Sequence, residues 1–197
     1  MTARPRRIWS SLLVLVLALL VGSWLTTLVP TRQEAVETPF RQETTIGQPA
    51  RFRPGTVTVT RISLAPTVTG PYGKEENRTT GIWLVVDLEF VAASEPSDIS
   101  LLFLEDSQDR THGHSQSVST PCSPAQPGFV LACRMALEVN PKVLPGSKLI
   151  IPITTFLLNN PDDMVVVDLG IDDAALATLM AQARPTELPP AFVKGKA

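Results

Sequence analysis

The apolar and polar positions of this chain fall into two regimes. From Ile8 to Val29 the sequence reads IWSSLLVLVLALLVGSWLTTLV, an almost unbroken apolar run with no charge. As a helix of about 22 residues at 1.5 Å per residue it would be about 33 Å long, enough to cross a hydrocarbon core of about 30 Å. Arg4, Arg6 and Arg7 precede the run, and the far side carries Arg32 diluted by Glu34 and Glu37. That bias predicts residues 1–7 in the cytoplasm, 8–29 as a transmembrane signal-anchor, and everything beyond on the outside. A cleaved signal peptide is the alternative, but no A-x-A site follows the run, and Val21-Gly22-Ser23 is a weak substitute inside it. The run contains no cysteine, which excludes a lipoprotein anchor.

Beyond it the pattern changes to short alternations. Residues 30–45 are polar, aperiodic and contain two prolines, so they read as a linker. Ala50–Phe52 is a short strand candidate. Thr56 to Leu64 is rich in β-branched residues, but its apolar parity changes: Val57 and Val59 share one face, and Ile62 and Leu64 share the other. One extra residue near Thr60-Arg61 would realign them, which predicts a β-bulge there. A loop is expected over 65–80. Ile82 to Val91 alternates most clearly, with Ile82, Leu84, Val86, Leu88 and Phe90 on one face and Trp83, Val85, Asp87 and Glu89 on the other. That is a strand with one buried side.

Ile99–Leu104, Phe129–Val139, Lys148–Phe156 and Met164–Leu169 follow, divided by turns at Glu105–Asp109 and Pro145-Gly146. Pro152 cannot donate to a ladder, which predicts an edge or bulged strand around it. About seven short strands between turn signals predict an all-β, immunoglobulin-like sandwich over 46–170, with a small closed barrel as the alternative.

One helix is expected over 171–184. Asp172 is its N-cap, Ile171 and Leu176 form a hydrophobic staple, and Leu176, Leu179, Met180 and Ala183 form its apolar stripe. Pro185 stops it. The end, 185–197, reads as a loose tail.

Composition narrows the function. The 18 prolines and 11 glycines are scattered, as short strands and turns require. A net charge of −2 without a basic face argues against nucleic acid as a partner. Cys122 and Cys133 are the only cysteines. In an exported domain they read as a disulfide rather than as two free thiols, closing a loop of about 12 residues that stabilises by roughly 3 kcal/mol. The loop around Cys122 is rich in Pro, Ser and Gln. The bridge therefore reads as tying a floppy segment to a strand.

Candidate chemistry is thin. His112-Gly113-His114 is the only histidine pair, and two strand residues at i and i+2 share a face. With Asp106 or Asp109 nearby they would suit Zn²⁺ or Cu²⁺, against the blander reading of a polar loop. Asp162-Asp163 and Asp172-Asp173 lack the spacing of a Ca²⁺ loop. No G-x-S-x-G occurs, and no acid–base pair stands out, so neither a catalytic residue nor a cofactor is expected. Asn77-Arg78-Thr79 matches a glycosylation sequon, which matters only in a eukaryotic secretory route.

The order of features resembles the telokin-like, immunoglobulin-like extracytoplasmic domains of bacterial anchored or secreted proteins. The residues that carry the resemblance are Ile46-Gly47, the Thr56–Thr60 strand, Gly81-Ile82-Trp83-Leu84-Val85-Val86-Asp87-Leu88, Leu104-Glu105-Asp106 and Leu144-Pro145-Gly146. Where that family has an asparagine-containing turn, Val91-Ala92-Ala93-Ser94 stands here. The resemblance implies a β domain outside the membrane and brings no catalytic residues with it. A looser likeness, in architecture alone, is to the small anchored accessory proteins of mycobacterial lipid transporters.

Together these observations lead to the expectation of a non-catalytic, membrane-anchored envelope module that binds or scaffolds another envelope component. An accessory subunit of a transporter and a metal protein using His112 and His114 are the alternatives.

Overall fold

A computed structural model describes residues 4–28, 40–71, 76–113, 121–152 and 163–197, with side chains for 12–25 of the first stretch. It divides the chain into two units, Met1–Thr38 and Pro39–Ala197.

The first unit contains helix α1, Arg4–Leu28. Its described apolar side chains are exposed on every face: Leu12, Leu13, Val14, Leu15, Val16 and Leu17 follow one another, each at 46% exposure or more. Among the described residues no helix is long and apolar enough to cross a membrane.

The second unit is mostly β-sheet. Its strands are β1 (Phe40–Thr45), β2 (Ala50–Phe52), β3 (Gly55–Thr69), β4 (Glu76–Ala92), β5 (Ser97–Ile99), β6 (Phe103–Glu105), β7 (Thr111–His112), β8 (Cys122–Ala125), β9 (Phe129–Val139), β10 (Lys148–Pro152), β11 (Asp163–Asp168), β12 (Thr186–Glu187) and β13 (Phe192–Lys196). Helix α2 is Asp173–Ala181. One sheet has the order β12-β3-β4-β9-β13, with β2 also on β3, and a second has β1-β11-β10-β6-β7. β5 and β8 form a third, small sheet.

The alternation of β4 builds the core. Leu84, Val86, Leu88 and Phe90 stand opposite Leu137, Met135, Cys133 and Leu131 of β9. One buried cluster joins this row to Leu104 of β6, Leu149 and Ile151 of β10, and Val165 and Val167 of β11. Side chains of both large sheets therefore enter one core. Gly81 opens the row because a Cβ there would collide with the carbonyl oxygen of Val139.

The expected bulge is present: the β3–β4 register shifts between Val59 and Arg61. It turns the second half of β3 so that Leu64 reaches the same core as Val57 and Val59. The loop expected over 65–80 is instead mostly hairpin, since β3 runs on to Thr69 and β4 begins at Glu76. The polar residues there pair through the backbone, which leaves no hydrophobic period to read.

The same physics shortens the expected linker and tail. Phe40–Thr45, read as linker, is β1, paired in parallel with β11, with five of its six residues exposed. The tail contains β12, parallel to β3, and β13, antiparallel to β9. Pro152 is not in an edge strand, because β10 lies between β11 and β6. It sits beyond Ile150, the last residue of β10 that meets β6, so no ladder bond is lost on that side. Residues 153–156, expected to extend this strand, lie outside the described residues.

Helix α2 starts as expected. The Asp172 side chain accepts from the Ala175 N–H at 2.7 Å, and Ile171 is buried. Leu176, Leu179 and Ala183 pack on the core, whereas Met180 is 41% exposed and falls outside the stripe.

Candidate functional site

Of the two histidines, His112 ends β7 and His114 lies outside the described residues. Gly113 between them has φ +102°. His112 is drawn to Asp106, its Nε2 lying 2.8 Å from Oδ2. Asp106 organises the whole β6–β7 turn. Its Oδ1 accepts from the N–H groups of Gln108 and Arg110 at 2.9 and 3.0 Å, and its Oδ2 accepts from the Arg110 guanidinium at 2.8 Å. The hydrogen bond from His112 is the strongest influence, and with the backbone donors it outweighs burial and holds this carboxyl well below the usual carboxylate range.

His112 also lines a polar cavity of about 300 Å³ with Thr80, Glu138 and Asn140. Glu138 accepts a hydrogen bond from Thr79 there. Among the described residues no group of three or more His, Cys, Asp or Glu is placed to hold a metal ion. Of the other acids weighed for a cation, Asp163 and Asp172 have structural partners. Asp163 Oδ2 accepts from the Arg53 N–H at 2.8 Å, and Asp172 caps α2; Asp162 lies outside the described residues.

A second site has almost no signature in the sequence. On the outer face of β4, the Asp87 carboxylate is held by Arg134, whose Nε donates at 2.6 Å, and by Arg61, whose Nε donates at 3.0 Å. Burial works against the charge of Asp87, but these guanidinium bonds outweigh it and keep the carboxyl below its ordinary value. Beside it Lys194 donates to Glu89 at 2.6 Å. Asp87, Glu89, Arg134 and Lys194 line an open groove of about 280 Å³ with Ala132, Pro189, Pro190 and Phe192. The only signal in the sequence is the alternation of Asp87 and Glu89 in β4. Their partners come from β3, β9 and β13, and only folding brings them together.

Cys122 and Cys133 form a disulfide, with their Cα atoms 5.4 Å apart. Its surroundings differ from the expectation of a floppy loop. Cys122 lies in β8, fully buried within the main core, and β8 pairs with β5. The bridge therefore joins two strands. Proline and serine in the sequence around Cys122 hide the strand, because only Cys122 and Ala125 of its four residues face inward.

Searches of family models, curated proteins and solved structures each returned no match to this chain.

Proposed function

We propose that this chain is a non-catalytic interaction or scaffold module of the cell envelope. In this reading α1 is a single-pass anchor with the N-terminus cytoplasmic, and the chain from about Pro30 onward lies outside. The observation that carries the reading is α1 itself, a helix whose apolar side chains are exposed all round. Such a helix is stable only when buried in protein or in lipid. The disulfide supports an oxidising compartment for the β unit. The acids beside the two cavities support a non-catalytic role. Asp87, Glu89, Asp106 and Glu138 are all engaged by guanidinium, ammonium, imidazole or hydroxyl groups.

The strand order supports an immunoglobulin-like sandwich of the telokin-like kind. The neighbours β3-β4-β9 follow the A-B-E row of that fold, and β11-β10-β6 follow its G-F-C row.

The test is topological. Protease added to intact cells or spheroplasts is expected to remove residues 40–197 and spare the N-terminus, and a β unit protected until lysis would overturn the reading. Capture of one envelope component by the full-length protein in membranes, lost when the β unit is deleted, is the expected sign of a scaffold. Turnover of a small substrate by the purified protein would overturn the non-catalytic assignment.

A further inference from the structure

Residues 186–197 form a strap across the outer face of the first sheet. β12 adds to it at one edge, beside β3, and β13 at the other, beside β9. Beneath the strap lies a closed apolar bed. Ala65, Val68, Trp83, Val85 and Ala136 are each 3% exposed or less, and Leu188 of the strap completes the cluster. Leu188 is the only buried residue between 186 and 197. The other attachments are the pairing of β12 and β13 at the sheet edges, partly buried Ala191 and a few polar bonds. The Leu188 N–H donates to Thr69 O at 2.9 Å, Lys194 reaches Glu89, and the Ala197 N–H donates to Gly128 O at 3.0 Å. β13 itself pairs with β9 around a bulge between Val193 and Gly195. Pro189 and Pro190 donate nothing.

A well-formed site is thus filled by a terminal segment that buries one side chain fully and otherwise holds on by edge pairing. Segments fastened by little buried surface open locally, ahead of the fold as a whole. When this one opens it bares the β9 edge, the Trp83 bed and Glu89.

We infer that the strap is exchangeable, and that residues 186–197 of a second copy of this chain fill the bed of the first to give a strand-swapped dimer. The second copy is the occupant that the site specifies. It brings an antiparallel strand for β9, an isobutyl group for the Trp83 bed and an ammonium for Glu89, all in the required register. Every pairing broken within one molecule re-forms between the two, so the exchange costs little beyond association. The short connection from Ala181 to Thr186 is the hinge. Simple edge-to-edge pairing of two β13 strands is disfavoured, because antiparallel pairing centred on the strand sets Lys194 opposite Lys194 and the bulge interrupts the ladder.

The experiment mixes two full-length variants in detergent, one Ala132→Cys and one Phe192→Cys. These positions are partners across β9 and β13, so in the mixture a bond between the two new cysteines requires the strap of one molecule to lie on the sheet of the other. Thr58→Cys on the same outer face replaces Ala132→Cys as the collision control. The mixed 132–192 disulfide, identified by mass spectrometry, is expected to exceed the 58–192 control roughly tenfold and to rise with protein concentration. Equal yields would overturn the exchange between copies. Hydrogen exchange of the full-length protein supplies the second readout. Strap amides are expected to exchange before those of β4, and Leu188→Ala is expected to speed them roughly a hundredfold. Strap and β4 amides exchanging at one common rate would overturn the local opening on which the proposal depends.

Discussion

The two faces of β4 are made of alternate residues of one strand, yet they are covered in different ways. The inner row, Leu84, Val86, Leu88 and Phe90, meets side chains of the second sheet, and Phe90 packs against Phe52 with ring centroids 6.0 Å apart. The outer row divides in two. Trp83 and Val85 are buried under the strap, while Asp87 and Glu89 are tied to Arg61, Arg134 and Lys194. The inner face is closed by a neighbour that is itself part of the core. The outer face is closed by a terminal segment with one fully buried side chain, Leu188, and strands paired at either edge. Burial is equal at Trp83 and Phe90, both 0% exposed, but the segments that supply the cover differ.

Truncation on each face tests that difference first. Phe90→Ala is expected to cost about 4–5 kcal/mol, since the flanking strands cannot close the hole. Trp83→Ala removes a larger side chain but is expected to cost only about 3 kcal/mol, because the strap can settle inward. Thermal or denaturant unfolding compares the two, and a Trp83 loss equal to or above that at Phe90 would put both covers on the same footing.

The disulfide belongs to the inner face and gives the next effect. Cys122→Ser is expected to lose somewhat under 3 kcal/mol through loop closure, with Cys133→Ser close to it because both sulfurs sit in the core. Two reactive thiols in the unreduced, exported protein would remove the bridge from the account altogether.

Polar changes on the outer face rank below these. Asp87→Asn keeps the shape and is expected to cost about 1 kcal/mol or less, since the pair with Arg61 and Arg134 is partly solvated. A loss of several kcal/mol would show the outer face relying on charge as heavily as the inner one relies on packing.

A further effect is expected in the acid limb of the stability curve. The folded-state affinity of Asp106 for a proton is lowered, so its contribution is complete above its ordinary value of 3.8 and disappears as pH falls through the lower, folded value. Asp106→Asn should therefore be less stable than the parent at pH 7, with the gap closing below about pH 4. A gap constant from pH 7 to pH 2 would mean the carboxylate charge plays no part.

The sequence discloses what packing dictates and conceals what the backbone alone does. β4, β9 and the bulge at Thr60-Arg61 are readable because side chains facing a core must alternate, and a break in alternation must be absorbed somewhere. The cap at Asp172 is readable because one carboxylate placed ahead of an apolar stripe satisfies a free N–H. β1, β8, β12 and β13 are not readable, since their pairing rests on main-chain hydrogen bonds and few or no inward side chains. Trp83 and Val85 fall on the solvent side of the alternation for the same reason, as the strap over them carries a single fully buried side chain. The His112–His114 pair reads as part of a strand, and the positive φ of Gly113 cannot be inferred from a lone glycine between polar neighbours. The Asp87 cluster draws on three strands distant in sequence, so no local pattern announces it.

The pairing of β1 has a mechanical consequence. β1 lies parallel to β11, with six residues in register from Phe40 opposite Asp163 to Thr45 opposite Asp168. Tension on the chain ahead of Phe40, directed along the strand, would load those hydrogen bonds side by side. They would yield together in shear instead of peeling apart one after another. At the start of the β unit, β1 would then take up force from the N-terminal side before it reached the core.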